Sequence, residues 1–365
     1  MKNSFGNNIT VTLFGESHGE YIGAVLDGLA PGIKIDREYI EAKLALRRPG
    51  GKISTARVES DEFKIVSGEF RGYTTGAPLC ILIPNTNKRS ADYGEKMDIP
   101  RPSHADYTAH VKYHGYEDHR GGGHFSGRLT AAIVAAGALL GSALESRGIR
   151  IGSHITELHG AFDRPFEDFE SDIALLSGRQ FPTLTESAEA SMKKEIEKAQ
   201  SLGDSVGGIL ESAIIGMPAG VGEPWFDSME SMLSHALFSI PAVKGVEFGL
   251  GFAFADVYGS EGNDPFEVKD GSVRTISNNN GGINGGITNG MPITFRTVIK
   301  PTPTIFKDQA SVSLSKMENT VLKSGGRHDP AIIHRARAVV DAMAAIVMAD
   351  ALTGRYGTDY LAEKN

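Results

Sequence analysis

The sequence predicts an α+β fold in one integrated unit spanning residues 1–365, and three observations point to it. Short apolar stretches of strand character, broken by glycine, occupy residues 9–29 and 62–84 and recur in the second half. An apolar run covers residues 129–144, 16 positions rich in Ala and Gly between Arg128 and Glu145. A second helix-like run, "AIIHRARAVVDAMAAIVMADAL", lies near the end. Strands, a core helix, strands and another core helix thus follow one another, with no linker-like or low-complexity stretch between them.

Each element has a local reason. In "DREYIEAKLALRRPGG" the periodicity predicts a helix, with Asp36 as N-cap and Pro49, Gly50 and Gly51 ending it. Residues 62–84 read as strands punctuated by Gly68, Gly72 and Gly76. Residues 99–128 are polar and rich in Gly and His, and lead into a helix over about 128–147. The 16-residue apolar run is shorter than the ~20 residues that span a bilayer, so a buried core helix is expected and no membrane partner. "TESAEASMKKEIEKAQ" has the pattern of a solvated amphipathic helix. "GGGHFSGRLTAAIVAAGALLGSAL" and "SGGRHDPAIIHRARAVVDAMAAIVMADAL" open their helices alike, which suggests an internal duplication.

Composition narrows the function. The net charge of −8 argues against non-specific nucleic-acid binding, and it makes local basic clusters informative. A single cysteine, Cys80, excludes an intrachain disulfide and a cysteine-based zinc site, and fits a reducing, cytoplasmic setting. The N-terminal "MKNSFGNNITVTLFG" lacks the apolar core of a signal peptide.

Two segments imitate serine-enzyme motifs. "GESHG", residues 15–19, fits G-x-S-x-G, but a nucleophile elbow needs a sheet already formed beneath it and a helix after it. "GDSVGG", residues 203–208, follows a polar helix and has no supporting motif. Neither Ser17 nor Ser205 is therefore read as a nucleophile. A turn with permissive glycines explains residues 15–19 equally well, except that His18 stands beside a hydroxyl where backbone, hydroxyl and imidazole could face one ligand.

Five histidines lie between His104 and His124, with Arg101, Arg120 and Arg128 in the same window. His110 and His114 have the i,i+4 spacing of metal ligands, but no accompanying carboxylate signature, and hydrogen-bonded roles are the simpler reading. His104 follows the stiffening Pro102, and Asp106 is placed to orient its ring for proton transfer. "RRPGGKISTAR" gathers Arg47, Arg48, Lys52 and Arg57 around a turn, as anion binding requires, although a solvated helix end would look similar. "SNNNGGINGGITNG" matches no nucleotide fingerprint, and "KPTPTI" after it presents Lys300, Thr302 and Thr304 on an extended backbone. Both would suit a phosphate-bearing cofactor.

Together, "GESHGEYIGAVLDGLAPG", "RRPGG", "RPSHADYT", "RGGGHFSGRLTA", "GVGEPWFDSMESMLSHALFSIPAVKGVEFG", "GGINGGITNG", "KPTPT" and "GGRHDP" resemble, in order, the chorismate synthase family. The resemblance implies an anti-1,4-elimination of phosphate from 5-enolpyruvylshikimate 3-phosphate, the last step of the shikimate pathway. It implies reduced FMN as cofactor, with electron density lent to the breaking C–O bond and then recovered. It also implies a sandwich of long helices between two antiparallel four-stranded sheets, assembled as a homotetramer.

Residue by residue, the resemblance makes His18 the donor to the leaving phosphate and Ser17 its hydrogen-bonding neighbour. His104 becomes the donor to the reduced flavin, while Ser126 and Asp329 assist proton removal. Arg47, Arg48, Lys52 and Arg128, with Arg57 nearby, would take the substrate's anionic groups. The flavin would fall to His124, Phe125, Ser126, Ala242, Gly285, Lys300, Pro301, Thr302, Pro303, Thr304 and Arg327. The chain departs from the family's usual pattern at His124, Phe125, Leu129 and Pro241, and is one residue short after "RRPGG". Family members either reduce their flavin with NADPH or rely on a separate flavin reductase. Competing readings are a serine hydrolase, a metal-dependent lyase using His110 and His114, and a flavin-binding protein without turnover.

Overall fold

The computed structural model of the protein describes residues 2–50, 53, 60–86, 98–323 and 329–363. The first half runs β1 (Ser4–Phe5), β2 (Thr10–Gly15), β3 (Tyr21–Asp27), α1 (Arg37–Arg47), β4 (Lys64–Ser67), β5 (Glu69–Phe70), β6 (Tyr73–Thr74) and β7 (Leu79–Pro84). Helix α2 (Asp106–Tyr113) and a glycine-rich segment precede the core helix α3 (Thr130–Glu145). The second half begins with β8 (Arg150–Leu158), β9 (Ala161–Phe162), α4 (Phe169–Ser177), α5 (Glu186–Ser201) and β10 (Gly208–Ile215). It continues through α6 (Met229–Phe238), β11 (Val243–Phe248), α7 (Gly259–Gly262), β12 (Phe266–Lys269) and β13 (Ser272–Thr275). Last come β14 (Ile283–Asn284), β15 (Ile287–Thr288), β16 (Ile293–Ile299), β17 (Gln309–Ser313), β18 (Glu318–Leu322) and α8 (Ile333–Tyr356).

The larger strands form two antiparallel five-stranded sheets, ordered β1-β2-β3-β7-β4 and β9-β8-β10-β16-β11. Each sheet thus has one strand more than the family resemblance implies, and the additional member is a two-residue edge strand, β1 or β9. Apart from these edges, both sheets place the first, second, fourth and third strands of their half side by side. In each half a helix, α1 or α6, stands between the second and third strands, and a core helix, α3 or α8, follows the fourth. The suspected duplication therefore has a counterpart in topology, with α4 and α5 as an insertion in the second half.

Period-two burial explains the inner strands: in β7, Leu79, Ile81 and Ile83 are fully buried and alternate with partly exposed positions. Helix α3 touches β2, β3 and β7, helix α8 touches β8 and β10, and the two helices pack on each other. That placement leaves almost no face of either helix in water, which is why both lack an amphipathic stripe. The segment Gly127–Glu145 is long and apolar enough to cross a membrane by composition, but 89% of its apolar window is buried within the protein. The N-cap expected for α1 is present, with Tyr39 N donating to Asp36 Oδ1 at 2.9 Å. Thr185 caps α5, whose Ala188, Met192, Ile196 and Ala199 form its buried stripe.

The two core helices meet with little space between them. A Cβ on Gly137 would lie 2.5 Å from both the Cβ and the carbonyl oxygen of Ala342. Near the far end of α8, Asp350 accepts from the backbone N–H groups of Asn7, Asn8 and Ile9, fixing the approach to β2. Replacing Gly137 by Val should force α3 and α8 apart and destabilise the protein by about 3 kcal/mol or more. A thermal melt of the variant against wild type measures this, and an unchanged midpoint would show that the contact is not limiting.

Candidate active site

The candidate site grows from the segment just before α3. Gly121, Gly122 and Gly123 have φ values of 61°, 85° and 54°, three consecutive residues in a region that side chains rarely enter. At Gly121 and Gly123 space forbids a side chain as firmly as backbone angle does, whereas at Gly122 the angle alone does so. A Cβ on Gly121 would lie 2.6 Å from Nε2 and Cδ2 of His18 and 3.0 Å from Ser17 Oγ. One on Gly122 would lie 3.4 Å from His104 Cε1 and 3.7 Å from Ser126 Cβ. One on Gly123 would lie 1.8 Å from the Asp118 carbonyl oxygen. The turn is therefore a backbone wedge, with Ser17 and His18 against one residue and His104 and Ser126 against the next.

The wedge is tied to β2 on both sides. Ser17 N donates to Gly123 O at 3.1 Å, and His124 Nδ1 donates to Gly15 O at 2.8 Å. His124 thus anchors the end of the strand through one ring nitrogen. Phe125 packs edge-on against Tyr113. Ser17 is fully buried, and its Oγ has no hydrogen-bond partner among the described residues.

Asp106 orients His104 as its spacing suggests, with Nδ1 2.6 Å from Asp106 Oδ1. Burial alone would raise the pKa of Asp106, but hydrogen bonds from Arg101 and His104 outweigh it and hold the carboxyl far below its ordinary range. An ionised carboxylate only accepts, so the His104 Nδ1 carries the proton and Nε2, on the Gly122 side, is the exchangeable position. Ser103, in the left-handed region at φ 59°, gives its carbonyl to Lys300 Nζ at 2.6 Å. Lys300 N in turn donates to Ala242 O at 2.9 Å. Partial burial and nearby Lys244 lower the Lys300 pKa.

A basic cluster lies on the Ser126 side. Arg47, at the end of α1, and Arg128, just before α3, both pair with the buried Asp61, Arg47 Nη2 at 3.0 Å from Oδ2 and Arg128 Nη1 on Oδ1. Arg48 Nε stands 3.9 Å from Oδ2. Arg128 Nε also donates to Asn85 Oδ1 at 2.9 Å, and Asn85 Nδ2 donates to the Glu16 and Gly19 carbonyls. One side chain thus links the arginines to the turn that carries Ser17 and His18. Asp329 joins through Arg335, whose Nη1 is 2.6 Å from Asp329 Oδ2 and whose Nε donates to Arg47 O at 2.8 Å. Thr302 Oγ1 donates to the Asp329 carbonyl at 2.6 Å.

Not every expected residue is gathered. Gly285 lies in the β14–β15 turn, anchored by bonds to Gly220, Val221 and Met229, and no described contact joins it to the cluster. Ser205 donates its hydroxyl to Thr302 O at 2.7 Å, which makes it a brace for the "KPTPT" segment. His110 pairs with Glu117 and His114 caps α2 in a left-handed conformation, and no metal-binding group occurs among the described residues. The Asn/Gly loop is organised from within by Asp264, which accepts from Ser277, Asn279 and Asn280. Lys52, Arg57 and Arg327 lie outside the described residues.

Comparison with known proteins decides what this arrangement belongs to. The sequence profile of the chorismate synthase family matches residues 9–353. The chain belongs to the chorismate synthase family. A chorismate synthase of Thermococcus gammatolerans is 48% identical over 350 residues, covering 96% of this chain and 97% of the relative. One of Methanosarcina barkeri is 46% identical over 354 residues, covering 95% of each. A crystal structure of chorismate synthase superposes with a TM-score of 0.77 at 29% identity, over 97% of this chain and 94% of that one. The activity is therefore that of a chorismate synthase, a lyase acting in the shikimate pathway on a small-molecule substrate, and the family depends on reduced flavin.

Sequence reasoning missed Asp61, Asn85 and Arg335. Asp61 and Asn85 belong to no motif, and only Arg335 carried a signal, as a cation inside a mostly apolar helix. Two substitutions test the geometry. Gly121→Ala should displace His18 and lower turnover about 100-fold or more while the fold persists by circular dichroism. Asp106→Asn should remove the acceptor that sets the His104 tautomer, lowering kcat by about 100-fold with little change in KM. Steady-state kinetics of both proteins check these values.

Proposed function

We propose that the turn at residues 121–123 is the centre at which this chain forms chorismate from 5-enolpyruvylshikimate 3-phosphate, with reduced FMN as its flavin. The observation that carries this reading is the seating of Ser17 and His18 on Gly121 and of His104 and Ser126 on Gly122. Two imidazoles and two hydroxyls converge there beside a basic cluster, in a chain whose net charge is negative. The residues fit a flavin phosphate and an anionic substrate: a buried serine hydroxyl awaits a partner, and Lys300 is partly stripped of water. Bound reduced flavin supplies transient electron density to the allylic C–O bond and recovers it.

The chain's own residues then divide the work. His18 holds the proton for the departing phosphate, and Ser17 Oγ hydrogen-bonds beside it. His104 holds a proton at Nε2, the position left exchangeable by Asp106. Ser126 and the Arg335-held Asp329 assist removal of the ring proton. Arg47, Arg48 and Arg128, with Lys52, receive the phosphate and carboxylates. His124, Phe125, Ser126, Ala242, Gly285, the 300–304 segment and Arg327 hold the flavin.

Several wider features accompany this reading. Each subunit is one domain, a sandwich of core helices between sheets, a layering supported by the contacts of α3 with β2, β3 and β7 and of α8 with β8 and β10. The working form is a cytoplasmic homotetramer. Reducing equivalents come from a separate flavin reductase, with NADPH as their source.

An anaerobic mixture of the protein, the enolpyruvyl substrate and chemically reduced FMN should yield chorismate and phosphate in equal amounts. Omitting FMN should abolish both. Product without flavin, or flavin binding without product, would overturn the proposal.

A further inference from the structure

Ser17 and His18 sit together at the corner of one turn. Gly19 N donates to Glu16 O at 3.0 Å, closing a β-turn over residues 16–19 with Ser17 and His18 as its central pair. Four residues closed by one internal hydrogen bond make a loose mount for a proton donor, because the other backbone groups must find partners outside the turn. Gly121 faces the His18 ring, and the bond from Ser17 N to Gly123 O fixes the corner. The ends of the turn need a support of their own.

Asn85 supplies it. It lies one residue beyond β7, the strand that pairs with β3, and its own N–H donates to Glu20 O at 3.0 Å. From there Nδ2 reaches both ends of the turn, donating to Glu16 O and to Gly19 O at 3.0 Å each. Oδ1 faces the other way and accepts from Arg128 Nε at 2.9 Å. Arg128 is itself held by Asp61 and by the Pro84 carbonyl, so the amide is referenced to a fixed group. The residue is buried, and only one orientation of its amide satisfies these partners. Turned over, it would set its NH2 against the Arg128 donor and its oxygen against two carbonyls.

We propose that Asn85 is a positioning residue for proton transfer: its amide clamps both ends of the 16–19 turn and thereby holds His18 in place for the departing phosphate. The inference rests on the reading of His18 as the proton donor. The clamp requires an amide. An ionised aspartate at this position would still accept from Arg128, but it would face the two turn carbonyls with oxygen alone. Asn85→Asp therefore removes the hold on the turn while keeping the contact with Arg128.

The test is a double-mutant cycle of Asn85→Asp and His18→Ala. For each protein kcat, KM for 5-enolpyruvylshikimate 3-phosphate and FMN affinity are measured. Asn85→Asp should lower kcat about tenfold or more, with KM and FMN affinity within about threefold of wild type. In the His18→Ala background the same change should lower kcat by less than about twofold, since the group it positions is gone. Asn85→Ala, which adds no charge, should follow the same pattern. Full turnover by a folded Asn85→Asp protein overturns the proposal. Losses that multiply in the double variant also overturn it, because a merely structural role would act whether or not His18 is present. A loss confined to KM does the same. If Asn85→Asp fails to fold, the cycle run with Asn85→Ala decides by these criteria. Wild-type turnover by His18→Ala would instead overturn the reading of His18 as the donor, which separates the two failures.

Discussion

Three consecutive glycines with positive φ, at 121, 122 and 123, are the constraint on which the rest of the site depends. Backbone angle and space act together there. Even a methyl group would strike His18 from Gly121 or the Asp118 carbonyl from Gly123. Because the wedge is backbone, it can bring Ser17 and His18 from one part of the chain within reach of His104 and Ser126 from another. The bonds from Ser17 N to Gly123 O and from His124 to Gly15 O then lock β2 to the wedge. Side-chain packing alone would not hold two imidazoles in such fixed relation.

The fold delivers this wedge through its repeated topology. Each half ends in a buried helix, and the beginnings of both helices meet at Arg47. Its side chain approaches the first turn of α3, and its carbonyl accepts from Arg335 in the first turn of α8. Helix α1 supplies Arg47 from its last turn, where a cation suits the dipole. Close packing of α3 on α8 at Gly137 keeps those beginnings together, so core and chemistry share one set of contacts.

Much of this was legible in the sequence, for reasons that can be named. The apolar run of α3, the Asp36 cap and the His104–Asp106 pair are local signals, spread over a few neighbouring residues. Family motifs placed His18, Ser126, Lys300 and Asp329, which composition alone could not have joined. Asp61 and Asn85 stayed hidden because their partners lie far along the chain: Asp61 is 67 residues from Arg128, and Asn85 is 69 from Glu16. The fifth strand in each sheet was missed because two-residue edges carry no periodicity. Gly285 is the opposite case, a motif residue that no described contact connects to the histidines, so its expected place rests on the family resemblance alone.

The most direct measurement is a crystal structure of the protein with oxidised FMN and 5-enolpyruvylshikimate 3-phosphate, a complex that cannot turn over without reduced flavin. The account predicts both ligands at the 121–123 turn, with His18 at the phosphate and His104 Nε2 at the flavin ring. It also predicts Arg47 and Arg128 still bridged by Asp61. Ligands seated elsewhere, or with the two histidines on separate sites, would contradict it.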